Sequence, residues 1–401
     1  MKTEFSSYLD LRAGEHLNAP ITPASQRATV GARQRLKFSK TSSTVLSGTA
    51  WYDANPGESD RVRSEDRQEV RFSDAYYQWE NDRWLLRFGN QQVAWGETFG
   101  TFYADVVNPK DLRLGLPLDF SESRRATPMA NFKFIAEGFS AQLLHIWQPQ
   151  FHILPMPGSD YSPDLTALTG ASNVEVRREK QLPWFEGTGE WGGRASTTFW
   201  NTDLSLLFLE YYDRLPYYEI LSSSAGRVEL GEKHGRVSSS GLTLATDVEG
   251  FVVRGEAVFT KNRRVPVMLG PFLTNRSVDE NAFALALDLP PWERLNVTLQ
   301  WSESALSDDG NYLLREKRVT YLGLRALLSV FESSSLELVG VHSPSDAGNR
   351  LQLEFKHPLM GWLESRAGVE VNSGPDQSEF GRIKRASQAY LGLRGFWGGF
   401  K

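Results

Sequence analysis

Apolar and polar residues alternate with period two along most of this chain. In Arg350-Leu351-Gln352-Leu353-Glu354-Phe355-Lys356, the residues Leu351, Leu353 and Phe355 share one face of an extended strand, and the polar residues share the other. Phe251, Val253, Ala257 and Phe259 oppose Arg254, Glu256 and Thr260 in the same way. Leu295, Val297, Leu299 and Trp301 oppose Asn296, Thr298 and Gln300, and Leu363, Ala367, Val369 and Val371 oppose Glu364, Arg366, Glu370 and Asn372. Near the start, Ala32, Leu36 and Phe38 oppose Arg33, Arg35 and Lys37. The pattern predicts about eighteen strands, or sixteen if one pair is miscounted, centred near residues 9, 33, 48, 75, 88, 132, 144, 192, 207, 242, 255, 285, 298, 323, 339, 353, 367 and 392. Each spans about 9–13 residues, as a tilted membrane-crossing strand does, whereas strands of soluble proteins run to about 5–6. Residues 69–80 and 186–198 alternate poorly.

The connections decide the architecture. Short ones centre on Thr41-Ser42, Asn81-Asp82, Glu137-Gly138, Asn201-Thr202, Val248-Glu249, Pro290-Pro291, Glu332-Ser333 and Pro358-Leu359. Longer ones span 19–27, 53–68, 95–128, 149–185, 213–236, 262–279, 304–316, 343–349 and 373–386, and the two kinds alternate. An up-and-down barrel with both termini on one side predicts this order: short periplasmic turns, long outer loops and an even strand count. A Greek-key sandwich has no reason to keep it. The expected fold is therefore one closed antiparallel transmembrane β-barrel over residues 1–401, with 95–128 folded inward as a loop or plug and 149–185 a long outer loop.

Composition agrees. No apolar run approaches the roughly 18 residues of a membrane helix, and a mean hydropathy of -0.40 suits strands that face lipid with every second side chain. Aromatic residues make up 12%, enough for girdles at two bilayer interfaces. Zero Cys removes disulfide and thiolate-metal chemistry, and a net charge of -5 argues against nucleic acid as a partner. The start, Met1-Lys2-Thr3-Glu4-Phe5, has no apolar signal segment, so the expectation is a mature chain of the bacterial outer membrane with an added Met1. Phe400 stands next to the end, where barrels carry an aromatic residue, and Lys401 follows it as a natural variation or a tag remnant.

One stretch carries a motif. Arg87-Phe88-Gly89-Asn90-Gln91-Gln92-Val93-Ala94-Trp95-Gly96-Glu97 is followed by Asp105-Val106-Val107-Asn108-Pro109-Lys110-Asp111-Leu112-Arg113. This resembles a large, poorly characterised Gram-negative outer-membrane barrel family, with a pattern like R-x-G-x-Q-x-x-x-W-G-E then D-x-x-N-P-x-D-x-R. Trp147-Gln148-Pro149, Pro155-Met156-Pro157-Gly158-Ser159, Glu190-Trp191-Gly192-Gly193-Arg194 and Tyr211-Tyr212-Asp213-Arg214-Leu215-Pro216 fit the same family. The resemblance covers roughly residues 70–220 and implies kinship with alginate-export-type barrels. It further implies export of hydrophobic or polymeric material beside a periplasmic or inner-membrane partner. The chain is shorter than that family leads one to expect.

The expected lumen face holds Asp10, Arg12, Arg33, Arg35, Lys37, Arg83, Arg87, Gln91, Arg254, Glu256, Arg350, Glu354, Lys356, Glu364, Arg366, Glu370 and Arg394. These charges can form cross-strand ion-pair ladders or a polar path that selects a cargo. Arg33, Arg35 and Lys37 are the leading choice for selection, because no acid interrupts them in sequence. Trp95, Glu97, Asp105, Asn108, Pro109, Asp111 and Arg113 are expected to build a constriction or plug, with an outer cap as the alternative. Loop 149–185 adds Pro149, Pro155, Pro157, Pro163 and Pro183 with Leu154, Met156, Leu165 and Leu168, which either pack the loop or line an access site for an apolar cargo.

His145 and His152 are seven apart, without a second His pair, and are not expected to bind a metal. No Ser or Asp nucleophile stands beside a His in a convincing motif, so no catalytic residues and no cofactor are expected. Lipid and lipopolysaccharide are the expected surroundings. The leading function is a gated or plugged channel or transporter, exporting or importing a hydrophobic or polymeric molecule. A structural sheath around a partner protein and a lipid-acting enzyme are the alternatives.

Overall fold

The computed structural model describes residues 2–18, 21–55, 67–100, 102–115, 123–155, 157–162, 171–179, 182, 189–224, 226–269, 272–308, 316–331 and 333–398. Strands β1 (Lys2–His16), β2 (Pro23–Lys37), β3 (Ser42–Asp53), β4 (Gln68–Glu80), β5 (Trp84–Gln91), β6 (Thr127–Ala136) and β7 (Phe139–Ile146) pair in succession, all antiparallel. β8 (Asn173–Arg177) leaves the ring, β9 (Glu190–Phe199) and β10 (Thr202–Tyr212) resume it, and β11 (Tyr217–Ser224) and β12 (Arg227–Lys233) leave it again. It continues through β13 (Arg236–Val248), β14 (Phe251–Leu269), β15 (Phe272–Asp288), β16 (Leu295–Leu306), β17 (Arg318–Ser329), β18 (Ser335–Ser343), β19 (Gly348–Met360), β20 (Leu363–Ser373) and β21 (Gln388–Gly398). β21 pairs with β1 from Ser6↔Gly398 to His16↔Gln388, which closes an antiparallel barrel of 18 strands and leaves it no open edge.

Each expected strand has its counterpart in the ring. Leu143, Leu206, Leu285 and Leu391 are exposed on the outer face at 50–69%. Phe139, Phe199, Trp200, Phe251, Trp362 and Trp397 are exposed at the rim of short turns, where Trp362 and Trp397 stack at 6.1 Å. An apolar band with an aromatic rim is the surface that lipid and its interface require.

Four features refine or depart from the sequence reading, and two of them are bulges. Within 262–279, expected as a loop, residues 262–269 and 272–279 instead extend the β14–β15 hairpin. Residues 261 and 262 stand opposite residue 279 between the pairs Thr260↔Glu280 and Arg263↔Val278, and Asn262 takes φ 63. One extra residue reverses the in–out parity, which puts the alternation of Val265, Val267 and Val278 out of phase with the strand below it. The same event at Ser73, between Ser47↔Asp74 and Gly48↔Phe72, explains why 69–80 alternates poorly. The last short turn lies at residues 361–362, not at Pro358, which sits inside β19 at a register shift between Pro358 and Met360. Proline is tolerated within a strand at such an irregularity. Loops 149–185 and 213–236 are also less irregular than expected, for they supply β8, β11 and β12 as a separate sheet, with β12 parallel to β8. Its core is Val174, Val176 and Leu230.

Candidate functional site

The chain between β5 and β6 crosses the interior of the ring. It begins from a strand fixed by close approach: Gly89 lies at φ 123, and a Cβ there would stand 2.2 Å from the Ala75 carbonyl oxygen. Asn108, 0% exposed, then ties the two ends of the loop together. Its Oδ1 accepts the Val93 N–H at 2.6 Å, and its Nδ2 donates to the carbonyls of Gln91 (3.1 Å) and Arg125 (2.8 Å). The Arg125 N–H donates to the Pro109 carbonyl at 2.8 Å. Trp95, 1% exposed, donates its indole N–H to Gln142 at 2.9 Å. Gln142 donates to Asn131 (2.9 Å) and Asn131 to Gln91 (3.1 Å), a row of side-chain amides across β7, β6 and β5.

The loop then reaches the far wall. Glu256 on β14 is 4% exposed, and its carboxylate is wrapped by the strap. Oε1 accepts the N–H of Glu97 (2.6 Å), the N–H of Thr98 (2.9 Å) and the Thr98 hydroxyl (2.9 Å). Oε2 accepts the N–H groups of Tyr103 and Ala104, both at 2.9 Å. The Phe99 N–H donates to Gln300 Oε1 on β16 at 3.0 Å. β16 lies eight strands round from β5 in a ring of 18, nearly opposite. Glu97 itself pairs with Arg194 on β9 at 2.7 Å. Underneath, Val93, Trp95, Ala104 and Val107 pack on an apolar inner wall of Met129, Leu144, Ile146, Leu207, Leu209, Tyr211, Val237 and Val258.

The returning part of the loop is an ion-pair network. Asp105 pairs with Arg124 (2.9 Å), Asp111 with Arg71 (3.3 Å) and with Arg113 (2.6 Å), and Glu69 with Arg113 and with Arg125 (2.9 Å). Burial alone would raise the pKa of Asp111, but the hydrogen-bonded Arg113, with Arg71 and Arg125, holds its carboxyl well below the usual carboxylate range. Arg214 clasps this loop to the next one. It pairs with Glu190 at 2.6 Å and donates to the carbonyls of Val107 and Gln150, both at 3.0 Å. His152 accepts the Lys110 N–H at 2.8 Å, and His145 stacks on Trp191 at 3.8 Å. Burial pushes the Lys110 ammonium below its ordinary pKa. Segment 157–162 also lands on the opposite wall: Tyr161 donates to Glu370 at 2.9 Å and Asp160 meets His16 at 3.0 Å. Met156, Pro163, Leu165, Leu168 and Pro183 lie outside the described residues, and Leu154 accepts Arg178 at its carbonyl, 3.3 Å away.

Beside the strap a cavity of about 660 Å³ stays open, lined by β1–β4 and β19–β21 with part of β5. Arg12, Arg33, Arg87, Glu354, Lys356, Arg366 and Arg394 line it, and so do Asp111 from the loop and Tyr161. The basic run Arg33, Arg35 and Lys37 is not free of acids in space. Lys37 pairs with Glu4 at 2.7 Å, Arg35 lies 3.9 Å from Glu80, and Arg33 and Asp74 share the cavity wall. β1, next to the run's own strand, and β4, two strands away, supply the acids that the run itself lacks. Other expected lumen residues are paired too: Arg254 with Asp288 (2.6 Å), Arg350 with Glu370 (3.1 Å), Lys356 with Glu354 (2.9 Å), Arg366 with Glu364 (2.7 Å) and Arg394 with Asp10 (2.6 Å). The alternation pattern places Glu256 on the lumen face but does not connect it to the strap. It does not single out Arg194, Arg214 or Gln300 for a role, and it leaves Arg27 in a loop. Glu190, Arg194 and Arg214 stand in the quoted family segments, which is the signal that could have found them.

A family model described as a protein of unknown function, DUF1302, matches residues 23–356. The chain belongs to that family. The DUF1302 match spans both the strap with its Trp-Gly-Glu and Asn-Pro-x-Asp-x-Arg segments and the far wall that receives it. No curated protein matches the chain in sequence. Among solved structures, Acinetobacter baumannii OccAB1 is similar over 99% of this chain and 97% of its own, at 9% identity and a TM-score of 0.58. Pseudomonas aeruginosa OccK8 (OprE) is similar over 99% and 98%, at 8% identity and 0.55. Salmonella typhi OmpF, in complex with Daunomycin, is similar over 99% and 98%, at 9% identity and 0.51. At such identities the likeness shows a shared fold, that of outer-membrane barrels of the porin and channel type.

Proposed function

We propose that this DUF1302 barrel is a gated channel of the bacterial outer membrane, with the strap of residues 92–100 and 102–115 as its constriction. The observation that carries the reading is Glu256, whose buried carboxylate receives five hydrogen bonds from the loop that enters from the other side. Eighteen strands enclose a width that must be filled or hold water. Here one half is filled by the strap and the other keeps a charged cavity. The rim of short turns would face the periplasm and the looped rim the exterior, as in other single-chain barrels. Planar-bilayer recording tests this: removal of residues 97–104 should raise single-channel conductance with the barrel intact. Unchanged currents from a folded variant would refute the constriction.

A second reading concerns cargo. Porin-like lumens are polar, yet the wall under the strap carries Met129, Leu144, Ile146, Leu207 and Leu209. Withdrawal of the strap would uncover this wall and admit a solute with an apolar part. Photo-crosslinking of a diazirine-labelled alkyl probe to Leu144 and Leu207 positions, in the strap-deleted barrel but not the wild type, tests it.

A further inference from the structure

The open half of the lumen holds two arginines that the fold sets at opposed positions on adjacent strands. Arg12 on β1 and Arg27 on β2 are directly opposite in register, and both line the cavity. Like charges at opposed positions on neighbouring strands repel. Elsewhere in the lumen such repulsion is relieved by a carboxylate, but among the described residues no ion pair is made by either one. The nearby acids are committed to other groups: Asp111, the acid that acts most on Arg27, is held by Arg113 at 2.6 Å and Arg71 at 3.3 Å. Asp53, opposite Arg27 on β3, accepts from Ser25 (2.5 Å) and from the N–H groups of Gln26 (2.9 Å) and Asn55 (3.0 Å). Asp10 is held by Arg394 at 2.6 Å, and Glu354 by Lys356 at 2.9 Å and the Tyr390 hydroxyl at 2.7 Å.

Each guanidinium instead lies over an aromatic ring. Arg12 stands 3.6 Å over Tyr390, and Arg27 stands 4.0 Å over Trp51. A ring engages the face of a guanidinium and leaves its N–H edge unused. Arg12 Nε has no hydrogen-bond partner. Planar N–H edges held over rings, on opposed residues of one walled cavity, match the paired oxygens of a carboxylate or phosphate. The same cavity wall carries nine Arg or Lys side chains against five Asp or Glu, so its field favours an anion.

We infer that Arg12 and Arg27 form a binding site for an oxyanion, a carboxylate or phosphate group of a solute in the lumen, beside the looped mouth of the barrel. The channel reading enters only in that it brings a solute there. The test uses the purified full chain in detergent, with benzoate and inorganic phosphate titrated separately and Trp fluorescence or heat of binding as the readout. The wild type should bind at least one of them; benzoate alone points to a carboxylate solute and phosphate alone to a phosphate-bearing one. R12Q/R27Q should weaken that binding about tenfold or more, as loss of a charge-assisted contact does. Heat-modifiable gel mobility reports whether the barrel is folded, and R12Q and R27Q singly carry the same test if the double variant does not fold. Failure of the wild type to bind either probe, or equal binding by the folded Gln variants, overturns the site. Bilayer conductance measured in parallel separates the two ideas. Binding without conductance sinks the channel reading alone, and conductance without binding sinks this site alone.

Discussion

Glu256 on β14 accepts the backbone N–H of Ala104 at 2.9 Å, although the chain arrives there from β5, six strands away round the ring. The pairing depends on charge. A buried carboxylate is tolerated only with full compensation, and here backbone dipoles supply it, as in the anion-binding nests of other folds. The strap gains its anchor and the carboxylate gains its solvation from the same five bonds.

Glu256→Gln therefore tests the latch with almost no change of volume. Its amide must turn an NH₂ group toward either the Glu97 and Thr98 donors or the Tyr103 and Ala104 donors. Two N–H groups then lose their acceptor, at about 1–3 kcal/mol each. We expect a larger mean current and faster protease cleavage within 97–104. A Glu256→Gln protein that conducts and resists cleavage like the wild type would remove the latch assignment.

Asn108 gives a stability prediction with a sign that simple isosterism misses. Asn108→Ala removes the bonds to Val93, Gln91 and Arg125 and should cost about 2–4 kcal/mol. Asn108→Asp keeps the acceptor for Val93 but turns the two donated bonds into contacts between a carboxylate and carbonyl oxygens. The Asp variant should be at least as unstable as the Ala variant at neutral pH, measured by urea unfolding in detergent. An Asp variant of wild-type stability would show that the donated bonds matter little.

Arg214 and Glu190 are exposed at only 4% and 0% in their side chains. Removing one partner of such a pair strands a buried charge, at about 3–5 kcal/mol, whereas replacing both is often milder. Arg214→Met alone should thus destabilise more than Arg214→Met with Glu190→Gln. The Met variant should also loosen the contact at Val107, because Arg214 donates to that carbonyl. Thermal unfolding of the two variants decides the point, and a double variant weaker than the single would contradict the isolated-pair view.

These residues also mark how far the sequence can be read. Period-two alternation exposes a lipid face, since bilayer and lumen impose opposite polarity on neighbouring residues of one strand. It is lost where a bulge adds a residue, as at Ser73 and at residues 261–262. Loop lengths expose the two rims for a similar reason. Partners across the lumen leave no such trace. Glu97 and Glu256 are 159 residues apart, and no local pattern states that one receives the other's N–H. The basic run Arg33 to Lys37 misleads because its neutralising acids, Glu4 and Glu80, belong to other strands, β1 and β4. Arg27 escapes notice because Pro23-Ala24-Ser25 reads as a loop, although the strand begins at Pro23. Proline is permitted as the first residue of a strand.

A pH dependence follows from His152, which lies in a loop outside the barrel wall. Its Nδ1 accepts the Lys110 N–H at 2.8 Å, so that atom carries no proton in the docked state. Burial pushes its pKa well below the ordinary His value, and the cations Lys110, Arg214 and Arg263 push the same way, with His234 beside them. His234 is itself lowered by burial, although Glu179 opposes the shift. The depressed value fixes the sign. With the loop undocked, the imidazole takes a proton near its ordinary pKa of about 6.5; docked, it cannot. The His152 contribution is therefore fully present above about pH 6.5 and declines as pH falls below it. Hydrogen exchange of residues 107–115 should accelerate from about pH 7.5 to about pH 5, beyond the intrinsic change in exchange rate. His152→Gln offers a non-titrating acceptor to the same N–H and should remove most of that acceleration, leaving the smaller part due to His234. A Gln variant with the wild-type pH profile would place the titration elsewhere.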